Sequence, residues 1–578
     1  MRKLAVYLKK YRIFMILGPV FKLIEAVFEL IVPLVVADMI DNGVRKRNLP
    51  YVYHQGTVLL ILAVVGLCSA LVCQRMASYA SQGFGTSLRS AMYEQINRFS
   101  HKEIDAFGTP SLITRITNDV NQLQVAVAML VRLVIRAPFL AIGSVVMAIS
   151  IDWKLGLIFL VATPLIGLTL YLIMSRSVPY FRVMQKKLDQ ISLVSREGLS
   201  GVRVIRAFAR EKTEEQRFDA AADEQADIAV RVGKLSALLN PATYLIMNFS
   251  VAAILWFGGT QVNTGSLTQG QVMAFVNYMS QTLLALMVVA NLVVVFTKAS
   301  ASATRVTEVL ETVPAIQEKQ DKPVRPVPDS PKAEFREVSF SYDGSEKYAL
   351  ENVSLRIERG QTIGVIGGTG CGKSTLVSLI PRLYEATKGQ VLVDGVPVQD
   401  YPFAQLRRLV GVVPQEARLF SGTIRSNLCW RKADASEAEL QKALRVSQAA
   451  EFVSCLPQGL DSPVEAGGKN FSGGQRQRLT IARALVGEPQ ILILDDSASA
   501  LDFATDAALR RAIREETREL TVILVSQRAN TIRSADRIVV LDEGCVAGTG
   551  THAELMQTCA VYREICLSQM SREEAGLS

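Results

Sequence analysis

Over roughly the first 300 positions, uncharged apolar runs alternate with charged stretches, and the apolar runs have the length of membrane spans. Residues 235–297 contain no Asp, Glu, Lys or Arg, and only the polar stretch GGTQVNTGSLTQGQ at 258–271 interrupts the run. That pattern predicts two membrane helices joined by a short turn. Residues 155–175 form another charge-free span, and only DWK separates it from an apolar segment at 131–151, which predicts a tight hairpin. Residues 51–74 are uncharged, and 13–40 are apolar except for Lys22, Glu25, Glu29 and Asp38. Six spans are expected, near 13–40, 57–77, 131–151, 155–175, 236–258 and 272–297.

Charge gives the orientation. The connection 176–234 holds twelve Lys and Arg and 75–132 holds six, whereas the 259–271 turn holds none. Basic residues favour the cytoplasmic side, so both long connections and both chain ends are expected there. The RKR triplet at 45–47 opposes this, but the basic start RKLAVYLKKYR outweighs it. No small-residue cleavage pattern follows that start, which reads as the approach to a retained first helix. The stretch 185–218 combines helix formers with apolar recurrences at helical spacing and predicts a helix projecting past the bilayer. Lys22, Glu25 and Glu29 share one face of the first span. Either they line a substrate cavity or Lys22 pairs structurally with Glu25. Arg132 and Arg136, one turn apart near the third span, allow the same two readings.

The 578-residue chain is 49% apolar and 20% charged, with a mean hydropathy of +0.24. Those values exclude a disordered or fibrous protein. The net charge of +9 is accounted for by cytoplasmic connections and calls for no nucleic-acid partner. Eight cysteines without a C-x-x-C pair, and three scattered histidines, give no disulfide framework or metal cluster.

Composition changes at 311–333, a proline-rich charged stretch that reads as a linker between a membrane domain at 1–310 and a soluble domain at 334–578. The segment 333–342 alternates like a strand, and a second strand pair leads into the glycine turn GGTGCGKST. That turn comprises Gly367, Gly368, Thr369, Gly370, Cys371, Gly372, Lys373, Ser374 and Thr375. It follows the apolar strand TIGVIG and precedes a helical pattern, the context a phosphate-binding loop needs. Small residues let backbone N–H groups converge on phosphate, Lys373 reaches the terminal phosphates, and the Ser374 hydroxyl meets Mg²⁺. ATP and Mg²⁺ are therefore the expected ligands. The strand QILILD at 490–495 ends in Asp495, a carboxylate placed to hold Mg²⁺. Asp496 stands where the group orienting attacking water is expected.

With these elements in place, NFSGGQRQRLTIARAL at 470–485 resembles the signature segment of the ATP-binding-cassette ATPases. The resemblance implies an α-helical six-span transmembrane domain with long cytoplasmic helices, followed by an α/β P-loop cassette, in a half-transporter of the exporter type. It further implies that Tyr342 stacks on adenine, with Tyr348 as the other candidate. Gln415 in VVPQEARLF becomes a γ-phosphate and Mg²⁺ sensor coupled to the membrane, Glu465 leads to the signature, and SALD at 499–502 becomes a dimer contact. Ser472, Gly473 and Gly474 precede a long helix, so a hydroxyl, bare backbone donors and a positive helix end can face phosphate together. By the resemblance, Phe471, Ser472, Gly473, Gly474 and Gln475 serve ATP held by a second half-transporter chain.

Two positions depart from the pattern. Asp496 stands where exporters usually carry Glu, and Gln527 where they usually carry a switch histidine followed by Arg528. Asp496 is one methylene short, and Gln527 donates a hydrogen bond without titrating near neutral pH. Both changes fall in one half-site while the signature stays intact. The chain thus resembles the degenerate-site subunit of heterodimeric bacterial multidrug exporters. That implies a non-identical partner chain, a hydrophobic or amphipathic cargo, lipid contact, and a multi-pass place in a bacterial inner or plasma membrane with the cassette in the cytoplasm. The alternatives are an ATP-gated regulatory membrane protein and a homodimeric lipid or peptide exporter.

Overall fold

The computed structural model describes residues 3–318, 322–342, 347–497, 499–517 and 519–569. Residues 319–321 of the expected linker lie outside the described residues. The chain forms two compact units, one of residues 1–97 and 108–312, the other of 98–107 and 313–578.

The first unit is helical. Five stretches among the described residues are long and apolar enough to cross a membrane: Leu49–Asn97, Thr109–Ile151, Trp153–Ser200, Glu211–Asn263 and Gln269–Glu311. The first expected span is helical over Arg12–Asp38. By composition it falls outside that set, because Lys22, Glu25 and Glu29 sit in its middle. Those charges are paired. Lys22 Nζ donates to both Glu25 oxygens at 2.8 and 2.7 Å, and Arg136 Nη2 donates to Glu29 at 2.7 Å. Pairing within the bundle lowers the cost of ionised groups in an apolar zone. The DWK hairpin forms as expected, with the Asp152 carboxylate capping the next helix at the Leu155 N–H, 2.8 Å away.

Leu49–Asn97 has 49 residues, about 73 Å of helix against a hydrocarbon core of about 30 Å, so it continues well outside the bilayer. The stretch 185–218 is not one helix. Trp153–Ser200 stops at Gly201, a short helix Val202–Ala207 follows, and Ala209 takes a left-handed φ of 48° before Glu211–Ala237 begins. Helix-forming composition cannot show this reversal, which two backbone positions create. The returning arms are tied by Arg217 Nη2 to Glu197 at 2.6 Å and by Lys187 to Glu224.

The second unit carries a six-stranded sheet in the order Cys545–Gly550, Arg537–Asp542, Thr362–Gly367, Thr521–Val525, Ile491–Asp495, Val410–Val413. All but the first are mutually parallel. The alternation of the strands sorts their side chains into two cores. Ile366, Leu492, Leu494, Val522, Leu524, Ile538 and Val540 pack with the helices on one face. Ile363, Val365, Ile491, Ile493, Ile523, Val525, Val539 and Leu541 pack on the other, under the antiparallel strands Ala333–Phe340, Leu350–Ile357 and Lys388–Val393. A parallel sheet covered on both faces explains why its strands read as continuous apolar runs.

Beneath this sheet Lys332 and Asp394 form a buried pair, with Nζ 2.8 and 3.0 Å from the two carboxylate oxygens and Gln490 as a further acceptor. Burial pushes the Lys332 ammonium below its ordinary value while Asp394 pulls it back. Lys332→Met is expected to leave Asp394 with Arg359 as its one remaining cation, at 2.6 Å, costing about 3 kcal/mol. Thermal unfolding of the full-length protein in detergent should show a midpoint lowered by roughly 5–10 °C.

Candidate nucleotide site

Strand order assembles the site. The carboxyl ends of five parallel strands share one edge of the sheet, and this edge gathers residues distant in sequence. The glycine turn leaves Thr362–Gly367, and Gln527 follows the neighbouring Thr521–Val525. Asp495 ends the next strand and Asp496 follows it, and Gln415 follows Val410–Val413 beyond.

The turn needs its glycines at defined places. Gly370 and Gly372 have φ of 82° and 97°. A Cβ at Gly367 would lie 2.1 Å from the Leu541 carbonyl oxygen, and one at Gly372 would lie 2.7 Å from that of Ala349. Lys373 opens the helix Lys373–Leu379, and its buried ammonium folds back over the loop, donating to the carbonyls of Gly367 at 3.0 Å and Gly368 at 2.7 Å. Gly368, Thr369 and Gly370 are exposed, while Cys371 is buried beneath them. The arrangement is a cation under a ring of open backbone, suited to a bound polyphosphate.

The Ser374 hydroxyl donates to Asp495 Oδ1 at 3.0 Å. This hydroxyl and carboxylate are the hard oxygen donors that Mg²⁺ takes. Burial raises the Asp495 pKa, the Ser374 hydrogen bond lowers it, Asp496 raises it, and Lys373 lowers it. Asp496 is raised chiefly by burial too, against Lys373, Arg528 and the backbone N–H of Gln527. Asp496 has a left-handed φ of 44°, and its N–H donates to the Val525 carbonyl at 2.9 Å. The turn thus ties it to the strand that precedes Gln527. Among the described residues no hydrogen bond holds the side-chain amides of Gln415 or Gln527, and both residues are exposed.

Tyr342 and Thr375 share a hydroxyl hydrogen bond of 2.7 Å, which joins the aromatic to the phosphate loop. Tyr348 instead lies under the Lys388 ammonium, 5.2 Å from the ring centroid. The structure adds Tyr384, which sequence reading missed. Its ring stands edge-on to Tyr342 at 5.3 Å, and its hydroxyl donates to Asp105 at 2.9 Å on the helix His101–Phe107. Asp105 lies 279 positions away, so no local pattern could have linked them.

The signature residues stand elsewhere. Gly473–Leu485 is a helix capped by Ser472, whose hydroxyl accepts from Gln475 N–H at 3.3 Å while Gln475 Oε1 accepts from Ser472 N–H at 2.9 Å. Phe471 is buried and anchors this start. The helix packs beside Val410–Val413, three places across the sheet from the strand feeding the phosphate loop. Among the described residues no hydrogen bond joins 471–475 to 367–375. Glu465 is exposed, its N–H donating to Asn470 at 3.0 Å. Asp502 caps the helix Phe503–Glu516.

The family model for the ABC transporter transmembrane region matches residues 15–286, and that for the ABC transporter matches 350–499. An uncharacterised ABC transporter ATP-binding protein of Mycobacterium tuberculosis is 39% identical over 582 residues, covering 99% of this chain and 98% of the relative. An ATP-dependent lipid A-core flippase of Chromobacterium violaceum is 30% identical, with 99% and 98% covered. A fatty acid ABC transporter ATP-binding/permease protein of Mycobacterium bovis is 32% identical, with 92% and 84% covered. The structure of a bacterial Atm1-family ABC exporter with ATP bound superposes with a TM-score of 0.79 at 24% identity, over 96% of this chain and 97% of the other, a likeness of fold.

Proposed function

The chain belongs to the ABC transporter family, and from that premise we propose that it is one half of an exporter of a lipid-like amphipathic molecule, paired with a non-identical chain. It is an ATP-hydrolysing membrane transporter with the cassette in the cytoplasm. In the proposed division of labour, its own ATP site hydrolyses slowly and its signature completes the faster site on the partner.

The observation that carries this reading is the pairing of Asp496 and Gln527 on adjacent strand ends, beside an otherwise complete phosphate loop. Lys373 binds the terminal phosphates, and Tyr342 holds adenine, a role supported by its bond to Thr375. Ser374 and Asp495 would hold Mg²⁺, which would supply neutralisation of phosphate charge. Asp496 orients attacking water in this reading, yet it stands a methylene back from the usual glutamate, and a displacement of about 1 Å can cost 100-fold. Gln527 donates a hydrogen bond toward phosphate but carries no transferable proton. Gln415, on the outermost strand end, senses the same phosphate.

The lipid-like cargo is supported by the flippase and fatty acid relatives and by the membrane unit itself. There, Val134, Pro138, Leu292, Val293 and Phe296 line an open, mostly apolar groove of about 730 Å³ that also carries Thr297 and Ser300, wide enough for an amphipath.

Single-turnover hydrolysis resolved by site in the reconstituted assembly tests the asymmetry. Asp496→Glu with Gln527→His is expected to raise hydrolysis at this chain's site about tenfold, the lower part of the range that restored alignment allows. Asp496→Asn should lower assembly turnover by less than about twofold, the reciprocal of slow chemistry at this site. Equal rates at the two wild-type sites, or nearly complete loss in Asp496→Asn alone, would overturn the asymmetry and favour a homodimer whose shorter carboxylate is fully competent.

A further inference from the structure

The loop bearing Gln527 is held at its flanks, where Ser526 N–H donates to the Val365 carbonyl at 3.1 Å and Arg528 N–H to the Ser526 hydroxyl at 3.0 Å. The Gln527 side chain is exposed, and the segment Ser526–Ala529 links the buried strand Thr521–Val525 to a short helix Ala529–Ile532. From outside, one side chain reaches both sides of this turn. Gln569 Nε2 donates to the Gln527 carbonyl at 2.8 Å, and Gln569 Oε1 accepts from the Ala529 N–H at 2.9 Å. An amide that donates and accepts across a two-residue step pairs with backbone as a neighbouring strand would.

Gln569 ends the helix Ala560–Gln569, which is fixed by burial of Tyr562 and Cys566 in the core that also holds Ala529 and Ile532. The Tyr562 hydroxyl is bonded to His552 Nδ1 at 2.8 Å. The clamp is therefore delivered by the exposed last residue of a helix whose inner face is buried. Two residues before Gln527, the same chain segment is tied to Asp496, whose N–H donates to the Val525 carbonyl at 2.9 Å. Holding the Gln527 carbonyl and the Ala529 N–H pins the two peptide planes that follow Gln527, which limits where its Cα and side chain can sit beside Asp496.

We infer that Gln569 is a positioning residue of this chain's ATP site, setting Gln527 against Asp496 and the terminal phosphate from the carboxyl-terminal helix. The inference rests on the reading of Gln527 and Asp496 given above. It adds a second determinant of hydrolysis that lies outside the sheet edge and touches neither nucleotide nor metal. Gln569→Glu separates the two contacts, since it keeps an acceptor for Ala529 N–H but sets a carboxylate oxygen against the Gln527 carbonyl. Gln569→Leu removes both.

The test uses the full transporter assembly. Amide hydrogen exchange over 526–530 is expected to quicken at least tenfold at Ala529 in Gln569→Leu and to stay near wild type there in Gln569→Glu. Photolabelling of this chain by 8-azido-ATP should remain within about twofold in both variants. Single-turnover conversion of that label to ADP should fall five- to tenfold in both. Gln527→Ala combined with Gln569→Leu should be no slower than Gln527→Ala alone, because the clamp acts through Gln527. Unchanged exchange, or conversion unaltered by Gln569→Leu and Gln569→Glu while Gln527→Ala slows it, overturns the assignment. Multiplying effects in the double variant also overturn it, in favour of general stability. If Gln527→Ala itself converts ATP at the wild-type rate, the reading of Gln527 fails and takes the proposal with it, a failure recognised by that single variant. Should Gln569→Leu not reach the membrane, the near-isosteric Gln569→Glu carries the hydrolysis and epistasis arms.

Discussion

Lys373→Ala is expected to lower ATP labelling of this chain at least a hundredfold while the assembly still purifies intact. The effect exceeds the loss of one hydrogen bond because of the charges around it. Lys373 is the cation that lowers the pKa of both Asp495 and Asp496, so its removal leaves two carboxylates facing the place where phosphate must sit. Charge-assisted bonds are worth about 1.5–3 kcal/mol each, and one pKa unit corresponds to about 1.36 kcal/mol. Two lost phosphate contacts therefore reach a hundredfold before repulsion is added. The fold has less at stake. The ammonium's protein partners are the carbonyls of Gly367 and Gly368 and, more weakly, the Cys371 sulfur at 3.7 Å, and Gly368 lies at the exposed rim of the turn, where water replaces the lost donor. Photolabelling of the separated chains measures the affinity, and size-exclusion chromatography of the detergent-solubilised complex measures assembly. Undiminished labelling would remove Lys373 from the site.

How much of this could be read from the chain depended on how local each interaction is. The phosphate loop is a contiguous segment, so strand, loop and helix are all legible in the sequence, although the close approach of the Leu541 and Ala349 carbonyls to Gly367 and Gly372 is not. The span pattern was equally plain, because a membrane acts on every residue of a helix. Charge alone left the first span ambiguous. Lys22 and Glu25 share a helix and their pairing was one of two readings, whereas the Glu29 bond to Arg136 crosses 107 positions. The break at Gly201 and Ala209 was hidden by helix-forming neighbours, since one residue with a positive φ overrides a favourable average. Tyr384 with Asp105, and Gln569 with Gln527, are invisible at the level of motif. Each joins two ordinary side chains or backbone groups through strand order and helix docking. The sheet order also explains why Ser374 meets Asp495, 121 positions away, through strands separated by Thr521–Val525 alone.

Gly473→Glu is expected to reduce ATP turnover of the assembly to a few per cent without weakening ATP labelling of this chain's own loop. The substitution isolates the signature's role because it is locally harmless. Among the described residues, no heavy atom outside its own helix turn lies within 4 Å of a Cβ placed at Gly473, whereas one at Gly474 would lie 3.3 Å from the Ala500 carbonyl oxygen. A glutamate in the first turn of Gly473–Leu485 is also favoured by the helix dipole, by about 0.3–1 kcal/mol. The same placement puts a fixed anion where the proposed shared site requires the helix end to meet phosphate held by the partner chain. Ser472→Ala is less clean, since the Ser472 hydroxyl caps its own helix at Gln475 and losing a cap costs about 1 kcal/mol by itself. Gly473→Gln separates bulk from charge: it should retain several-fold more turnover than Gly473→Glu, because the side chains match in length and differ in the anion. Steady-state ATPase of reconstituted assemblies, with labelling of each chain as the binding control, gives the comparison. Near-normal turnover in Gly473→Glu would place this helix end away from any ATP, and equal losses in Glu and Gln would make the contact steric instead of electrostatic.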